Sequence, residues 1–280
     1  MAFDGFVINS VINELNSCLI DGKINKVFEP NKNELILGIY ANSKNYALYI
    51  SIDSNNYRLH LTTSSKPNPY NALNFCMFLR KHIVGYKIKS ITSYNLERIV
   101  FISLEGFNEL NDKVRKTLII ELMGKHSNII LVNENNIIID SLRHLDTFSN
   151  SLRNILPAHP YSVPNSSKVS ILNVNQFSDF FNILKDDLNI YSISDNITSK
   201  FNGVSKTYVS NMLETLNLPD FSSNIDDLKL IYNYMKDSLT SNVVLKNYIN
   251  NKQKQDYVIT PGNSSSLDIN FFLDDFYSKK

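Results

Sequence analysis

The sequence predicts an α+β fold: a β-rich domain over residues 1–165, a small all-helical subdomain over 166–240, and a C-terminal segment over 241–280 that returns to the first domain. Three observations predict it. Short runs of alternating or continuous apolar residues fill most of the first 150 or so positions, the period of strands. A cluster of Pro157, Pro160, Pro164 and Ser/Asn residues up to Ser167 then interrupts the pattern, as a domain boundary does. Beyond it, apolar residues recur at helical spacing in short pieces.

The first element is a helix from about Asp4 to Leu19, with Ile8, Val11, Ile12, Leu15 and Leu19 on one face and Asp4 as its N-cap. Ile24–Phe28, Glu34–Ala41, Tyr46–Ile52 and Tyr57–Leu61 follow as an antiparallel meander, separated by turns such as Asn42-Ser43-Lys44-Asn45. Pro67-Asn68-Pro69 breaks the chain before a second helix, about Asn71–Ile83. Strands return at Tyr86–Ser93, Arg98–Leu104, Val114–Met123, Asn128–Val132 and Ile137–Leu142, which fits a sandwich or half-barrel with helices packed on it. Past the boundary, helices are expected at Asn175–Leu184, Ile190–Phe201, Lys206–Leu216 and Ile225–Leu239. Val243–Ile249 and Tyr257–Ile259 read as strands rejoining the first sheet, and Leu267–Tyr277 as a last helix.

Composition narrows the function classes. Net charge is only +1, so contact with a polyanion must come from local clusters of Lys and Arg. Cys18 and Cys76 both fall inside apolar helical patterns, as buried thiols in a reducing compartment do. The first residues show no secretory signal, and no apolar run approaches the ~20 residues of a membrane span. A cytoplasmic protein without membrane insertion is expected. No Walker loop, GxGxxG, GxSxG or CxxC pair occurs, and the five histidines sit at no metal-ligand spacing. Neither a metal, nor a cofactor, nor a catalytic group is predicted.

Three polar segments remain, each with a plain reading beside a functional one. Arg80-Lys81-His82 ends the second helix, where cations complement the helix dipole for under ~1 kcal/mol; the same cluster suits phosphates. Glu97-Arg98 at the start of a strand reads as a surface ion pair worth ~0–1 kcal/mol. Both side chains face one ligand only if the strand is twisted or bulged there. Glu121–Asn128 (ELMGKHSN) joins two strands through a turn in which Gly124 supplies positive φ, leaving Lys125 and His126 at the tip of a solvated hairpin.

Taken together, AFDG at the first helix, RLHLTT at Arg58–Thr63, NFCMFLRKHI, LERI, ELMGKHSNIILVN and LRNILPAHPY come in the order seen in one family. The chain resembles the N-terminal NFACT domain of the bacterial RqcH proteins and their eukaryotic NEMF relatives, many of which are known as fibronectin-binding proteins. The resemblance covers residues 1 to about 165 and extends more loosely beyond, where FNGVSKTYVSNML resembles the family's helix-hairpin-helix element. It implies an N-terminal fold similar to that of formamidopyrimidine-type DNA glycosylases. Glycosylase chemistry is not implied, since this chain begins Met1-Ala2 where those enzymes need an N-terminal proline and glutamate.

The resemblance further implies an adaptor, not an enzyme. Such proteins sense a large ribosomal subunit holding an obstructed peptidyl-tRNA, recruit alanyl-tRNA and support C-terminal alanine tailing; peptidyl transfer stays with the ribosome. The family continues into a coiled coil and a further RNA-binding domain. Its tRNA-binding residues, an acid in the first helix and an Asp-Arg pair, match Asp4 and Glu97-Arg98, with Glu97 departing from the usual Asp. Candidate RNA-backbone contacts are Arg58, Arg80, Lys81, Lys125 and His126. With only Gly203 clearly placed, Lys200–Met212 reads as mainly structural. The alternative implied by the family's older name is a surface adhesin that binds fibronectin.

Overall fold

The computed structural model of the protein describes residues 3–145, 153–188, 190–240, 242–249, 255–263 and 268–279. The chain forms two compact units. One gathers Met1–Ser10, Asn95–Arg98 and Asn165–Ile269; the other gathers Val11–Tyr94, Ile99–Pro164 and Asn270–Lys280. A boundary thus falls after Pro164, but the first ten residues and the Asn95–Arg98 connection, assigned from sequence to the β-rich domain, group with the later part of the chain.

Helix α1 (Gly5–Leu19) runs through the change of unit at Ser10, and α2 (Asn74–Ile83) lies in the second-named unit. The strands there are β1 (Lys23–Asn31), β2 (Glu34–Ala41), β3 (Lys44–Ser51), β4 (Arg58–Leu61), β5 (Lys87–Ser93), β6 (Ile99–Phe107), β7 (Lys113–Glu121), β8 (Asn128–Asn133) and β9 (Ile138–Ser141). They form one antiparallel sheet in the order β4-β3-β2-β1-β5-β6-β7-β8-β9, not two stacked sheets. The β2–β3 turn has Asn42 and Ser43 at φ 49° and 60°, the left-handed pair whose twist matches a two-residue hairpin.

The sheet curls. From the end of β9, Arg143 donates to Asn33 Oδ1 in the β1–β2 turn at 2.8 Å and to the Ile52 carbonyl after β3 at 3.4 Å. Ile99, Ile119, Ile130, Val132, Ile138, Ile155 and Tyr161 are buried together in one cluster. Burying each such isoleucine contributes about 1.5–3 kcal/mol. Glu121 is fully buried beside this cluster, and its two carboxylate oxygens accept from the Arg153 guanidinium at 2.9 Å each, while Tyr161 Oη donates to Oε1 at 2.8 Å. The ELMGKHSN acid is therefore a structural anchor.

In the other unit, α3 (Phe177–Leu184), α4 (Ile193–Lys200), α5 (Lys206–Leu216) and α6 (Ile225–Asp237) pack as the helical spacing predicts. Ser192, Ser205 and Asn224 cap α4, α5 and α6 with side-chain oxygens. Strands β10 (Val243–Ile249) and β11 (Gln255–Pro261) correct the sequence expectation: they pair with each other in full register as a separate two-stranded sheet and do not join the large one. A short local hairpin closes at lower entropic cost than a return to a distant sheet edge. Helix α7 (Asp268–Ser278) ends the described chain, and its later residues belong to the sheet unit. There Asn270 Oδ1 accepts from Leu61 N, and Asp274 accepts from Thr62 and Thr63, so α7 covers the edge strand β4. Both cysteines are buried free thiols.

Candidate nucleic-acid interface

The three residues that the resemblance implies as a tRNA site, Asp4, Glu97 and Arg98, lie in one unit. What joins them is backbone. Gly5 N donates to the Gly203 carbonyl at 2.8 Å. A Cβ on Gly5 would lie 2.1 Å from the Leu96 carbonyl oxygen and 2.9 Å from Gly203 Cα. A Cβ on Gly203, at φ +66°, would lie 1.9 Å from the same oxygen. Only two glycines admit that carbonyl between them, so Gly5, Leu96 and Gly203 form a tight three-way junction.

Leu96 itself is left-handed (φ 58°) after Asn95 (φ 46°), an uncommon conformation for a branched apolar residue. Its side chain is fully buried, which holds the turn in place. Glu97 and Arg98 therefore belong to a turn before β6, half-buried, and not to the strand itself. That resolves the alternation problem, because turn residues need not point to opposite faces.

Asp4 is the N-cap of α1, as expected. Its Oδ1 accepts from Phe6 N at 3.1 Å and Val7 N at 3.2 Å. Its Oδ2 accepts from Ser205 Oγ at 2.6 Å, while Ser205 Oγ in turn accepts from Tyr208 N at 3.1 Å and caps α5. One carboxylate thus serves two helix N-termini, and the Phe6 and Tyr208 rings stack beneath it with centroids 4.4 Å apart. Burial raises the Asp4 pKa to about 6, against the opposing pull of Ser205 and the two backbone N–H groups. Only 4% of Asp4 is exposed. Of the three residues implied as a tRNA site, Glu97 and Arg98 reach the surface, whereas Asp4 is buried in the junction.

Arg58 also departs from expectation. It is 9% exposed, and its guanidinium lies 4.0 Å from the Tyr277 ring centroid and 4.7 Å from that of Tyr49. Nε donates to His60 Nε2 at 3.2 Å, Nη1 to the Asn56 carbonyl at 2.8 Å, and Nη2 to Tyr49 Oη at 3.2 Å. Burial lowers the His60 pKa to about 4, keeping the ring a neutral acceptor for Arg58. Strand alternation cannot reveal this, because all four residues of β4 are buried once α7 covers it. Arg80 and Lys81 are exposed at the end of α2, with Arg80 Nε donating to the Val27 carbonyl at 3.0 Å.

Lys125 and His126 are exposed on a 3-10 turn at Gly124–His126. That turn is tied from behind: Met123 N donates to Ser127 Oγ at 2.9 Å, and Arg143 Nη1 donates to the Ser127 carbonyl at 3.0 Å. The buried Asn128 accepts from Arg143 N at 2.9 Å and donates to the Arg143 carbonyl at 2.8 Å.

Sequence reasoning missed Ser205, Leu96 and the Gly5–Gly203 contact. A Ser just before a helical run was a visible cap signal for Ser205; the other two had none. Among the described residues no group of three His, Cys, Asp or Glu is placed to hold a metal ion, and no helix is long and apolar enough to cross a membrane.

Comparison with known proteins adds independent findings. A family model described as NFACT N-terminal and middle domains matches residues 4–280. The Rqc2 homolog RqcH of Bacillus subtilis is 38% identical over 178 residues, covering 63% of this chain and 31% of that protein. The Rqc2 homolog RqcH of Streptococcus pneumoniae serotype 2 is 38% identical over 169 residues, covering 60% and 31%. The matched part is thus about a third of those relatives' length. Among solved structures, the N-terminal part of the fibronectin/fibrinogen-binding protein from Streptococcus suis superposes with a TM-score of 0.79 at 27% identity, covering 100% of both chains. The fibrinogen-binding protein from Staphylococcus aureus gives 0.82 at 25% identity, covering 99% of each. The N-terminal domain of the fibronectin-binding protein PavA from Streptococcus pneumoniae gives 0.71 at 27%, covering 99% and 98%.

Proposed function

This chain belongs to the family of NFACT N-terminal and middle domains, and from that premise we propose that it is the tRNA-holding front part of a ribosome-associated quality-control factor. In this reading it binds alanyl-tRNA on obstructed large ribosomal subunits in the cytoplasm and supports C-terminal alanine tailing. The ribosome makes the peptide bonds, so the protein positions and does not catalyse. One observation carries the reading: the Leu96 carbonyl is locked between Gly5 and Gly203, which presents the Glu97-Arg98 pair from a rigid turn. Rigidity matters because a pair held in place loses little entropy on binding. The Glu97 carboxylate can accept from exocyclic amino groups of unpaired bases, and the Arg98 fork can donate to a base edge or a phosphate. Asp4 acts as a positioning residue, since both of its oxygens are used on the junction. Glu97, one methylene longer than the family's Asp, reaches farther from the same turn.

The names of the structural neighbours favour a second reading, attachment to fibronectin or fibrinogen. Affinity purification of the intact protein from its native cell separates the two. The expected result is enrichment of alanine tRNA and large-subunit rRNA that falls steeply with salt. Recovery of neither RNA, with salt-insensitive capture of matrix protein, would overturn the quality-control reading.

A further inference from the structure

Cations in this nearly neutral chain are not spread evenly. The register of the large sheet sets Tyr40 (β2), Lys23 (β1), Lys87 (β5), Glu105 (β6) and Arg115 (β7) on one rung, each directly opposite the next. Directly opposed residues share a face. On the same face Lys26 stands opposite Gly38 and Lys113 opposite Phe107. The strip therefore carries five cations, Lys23, Lys26, Lys87, Lys113 and Arg115, and all five are exposed. Glu105 is its one strand carboxylate, bound to Lys113 at 3.0 Å and Arg115 at 3.2 Å. Asp21, in the turn before β1, pairs with Lys89 at the β5 bulge.

Two bland explanations fail on position. Lysines often guard sheet edges against aggregation, but β1, β5, β6 and β7 are interior strands. A merely solvated face gains nothing from setting like charges opposite one another, yet Lys23 faces Lys87 across the register pair that joins β1 to β5. Like charges so placed destabilise a sheet. A polyanion lying across the strip turns that cost into attraction.

We propose that this face of β1, β5, β6 and β7 is a second docking surface, for the phosphate backbone of double-helical RNA. Four adjacent strands span roughly 15 Å at strand spacing, wide enough to meet phosphates on both sides of a groove. Exposed Phe107 and Tyr40 flank the cations on the same face and offer rings to riboses or terminal bases. An anionic lipid surface fits less well. The apolar tip that would insert, Phe107 and Leu110, is interleaved with the exposed acids Glu109 and Asp112. The choice of RNA among polyanions rests on the proposed function; the surface itself is independent of the Glu97-Arg98 turn.

The test is fluorescence-anisotropy titration of a labelled RNA duplex of about 16 base pairs, which lacks any anticodon loop. The whole chain, K87E/R115E, the neutral K87Q/R115Q, the control K246E on β10 and E97A/R98A are compared, with melting temperatures measured alongside. Expected are duplex affinity at least tenfold weaker in K87E/R115E and a salt slope shallower by roughly 1.4–1.8 in K87Q/R115Q. K246E stays within twofold of the unmodified chain, and tRNA binding by E97A/R98A judges the earlier reading separately. If the charge-reversed protein fails to fold, the neutral pair decides. Unchanged duplex affinity in the neutral pair, an equal loss in K246E, or no salt-dependent duplex binding by the unmodified chain overturns the proposal. So does selective loss of phosphatidylserine-vesicle binding with duplex binding intact.

Discussion

The Asn95–Arg98 connection and the Gly124–Ser127 turn both present charged side chains from a left-handed backbone, yet different forces hold them. At the first, a carbonyl is trapped between two glycines with no room for a Cβ. At the second, Gly124 has nearly the same φ, +59°, but an added Cβ would meet nothing nearer than the Ser54 carbonyl at 3.7 Å. There the work is done by side-chain hydrogen bonds from Ser127, Asn128 and Arg143. Backbone contact is rigid and tolerates no substitution. A hydrogen-bonded turn can yield locally. The Glu97-Arg98 turn is of the first kind, and exposed Lys125 and His126 sit on the second.

Exchanging alanine for each glycine breaks the comparison most sharply. Gly203→Ala should cost roughly 4 kcal/mol or prevent folding of its unit, because the new Cβ collides with an immobile backbone as well as adopting a left-handed φ. Urea denaturation reads the loss, and a cost near 1 kcal/mol would mean the junction is soft. Asn128→Ala is expected next. It strands the Arg143 N–H and C=O and should cost about 2–3 kcal/mol by the same measurement.

The Asp4 carboxyl probes the first junction by pH. Its folded pKa of about 6 lies above the ordinary carboxylate value, so the folded state holds the proton more tightly. Its contribution to stability is fully present below about pH 4 and is lost as pH rises through 6, by roughly 2–3 kcal/mol. Asp4→Asn should remove that component, so the stability difference between variant and parent shifts in the variant's favour from pH 4 to 7. A pH-independent difference would place the carboxyl in water. Smallest is Gly124→Ala, expected to cost about 1 kcal/mol from φ alone.

Much of this was legible in the sequence, for identifiable reasons. Strand and helix periods follow directly from which residues face a core, so β1 to β9 and α1 to α7 emerged within a few residues of their bounds. Asp4 was readable as a cap because capping is local. Arg58 was not readable, because its burial depends on α7 arriving from the far end of the chain to lay Tyr277 over it. The Gly5–Leu96–Gly203 junction was invisible for the same reason: three segments distant in sequence meet through backbone atoms that leave no side-chain pattern. The β10–β11 pairing was misjudged because an apolar strand pattern shows that a strand forms and not which partner it takes.

The proposed tRNA contact rests on the Glu97-Arg98 turn, and tRNA affinity tests that turn most directly. Dissociation constants for purified alanine tRNA should be measured for the intact protein and its E97A/R98A variant at low ionic strength, with melting curves alongside. We expect the variant to bind at least tenfold more weakly while its melting temperature stays within about 2 °C of the parent, as for surface changes away from the core. Equal affinity in a fully folded variant would contradict the assignment.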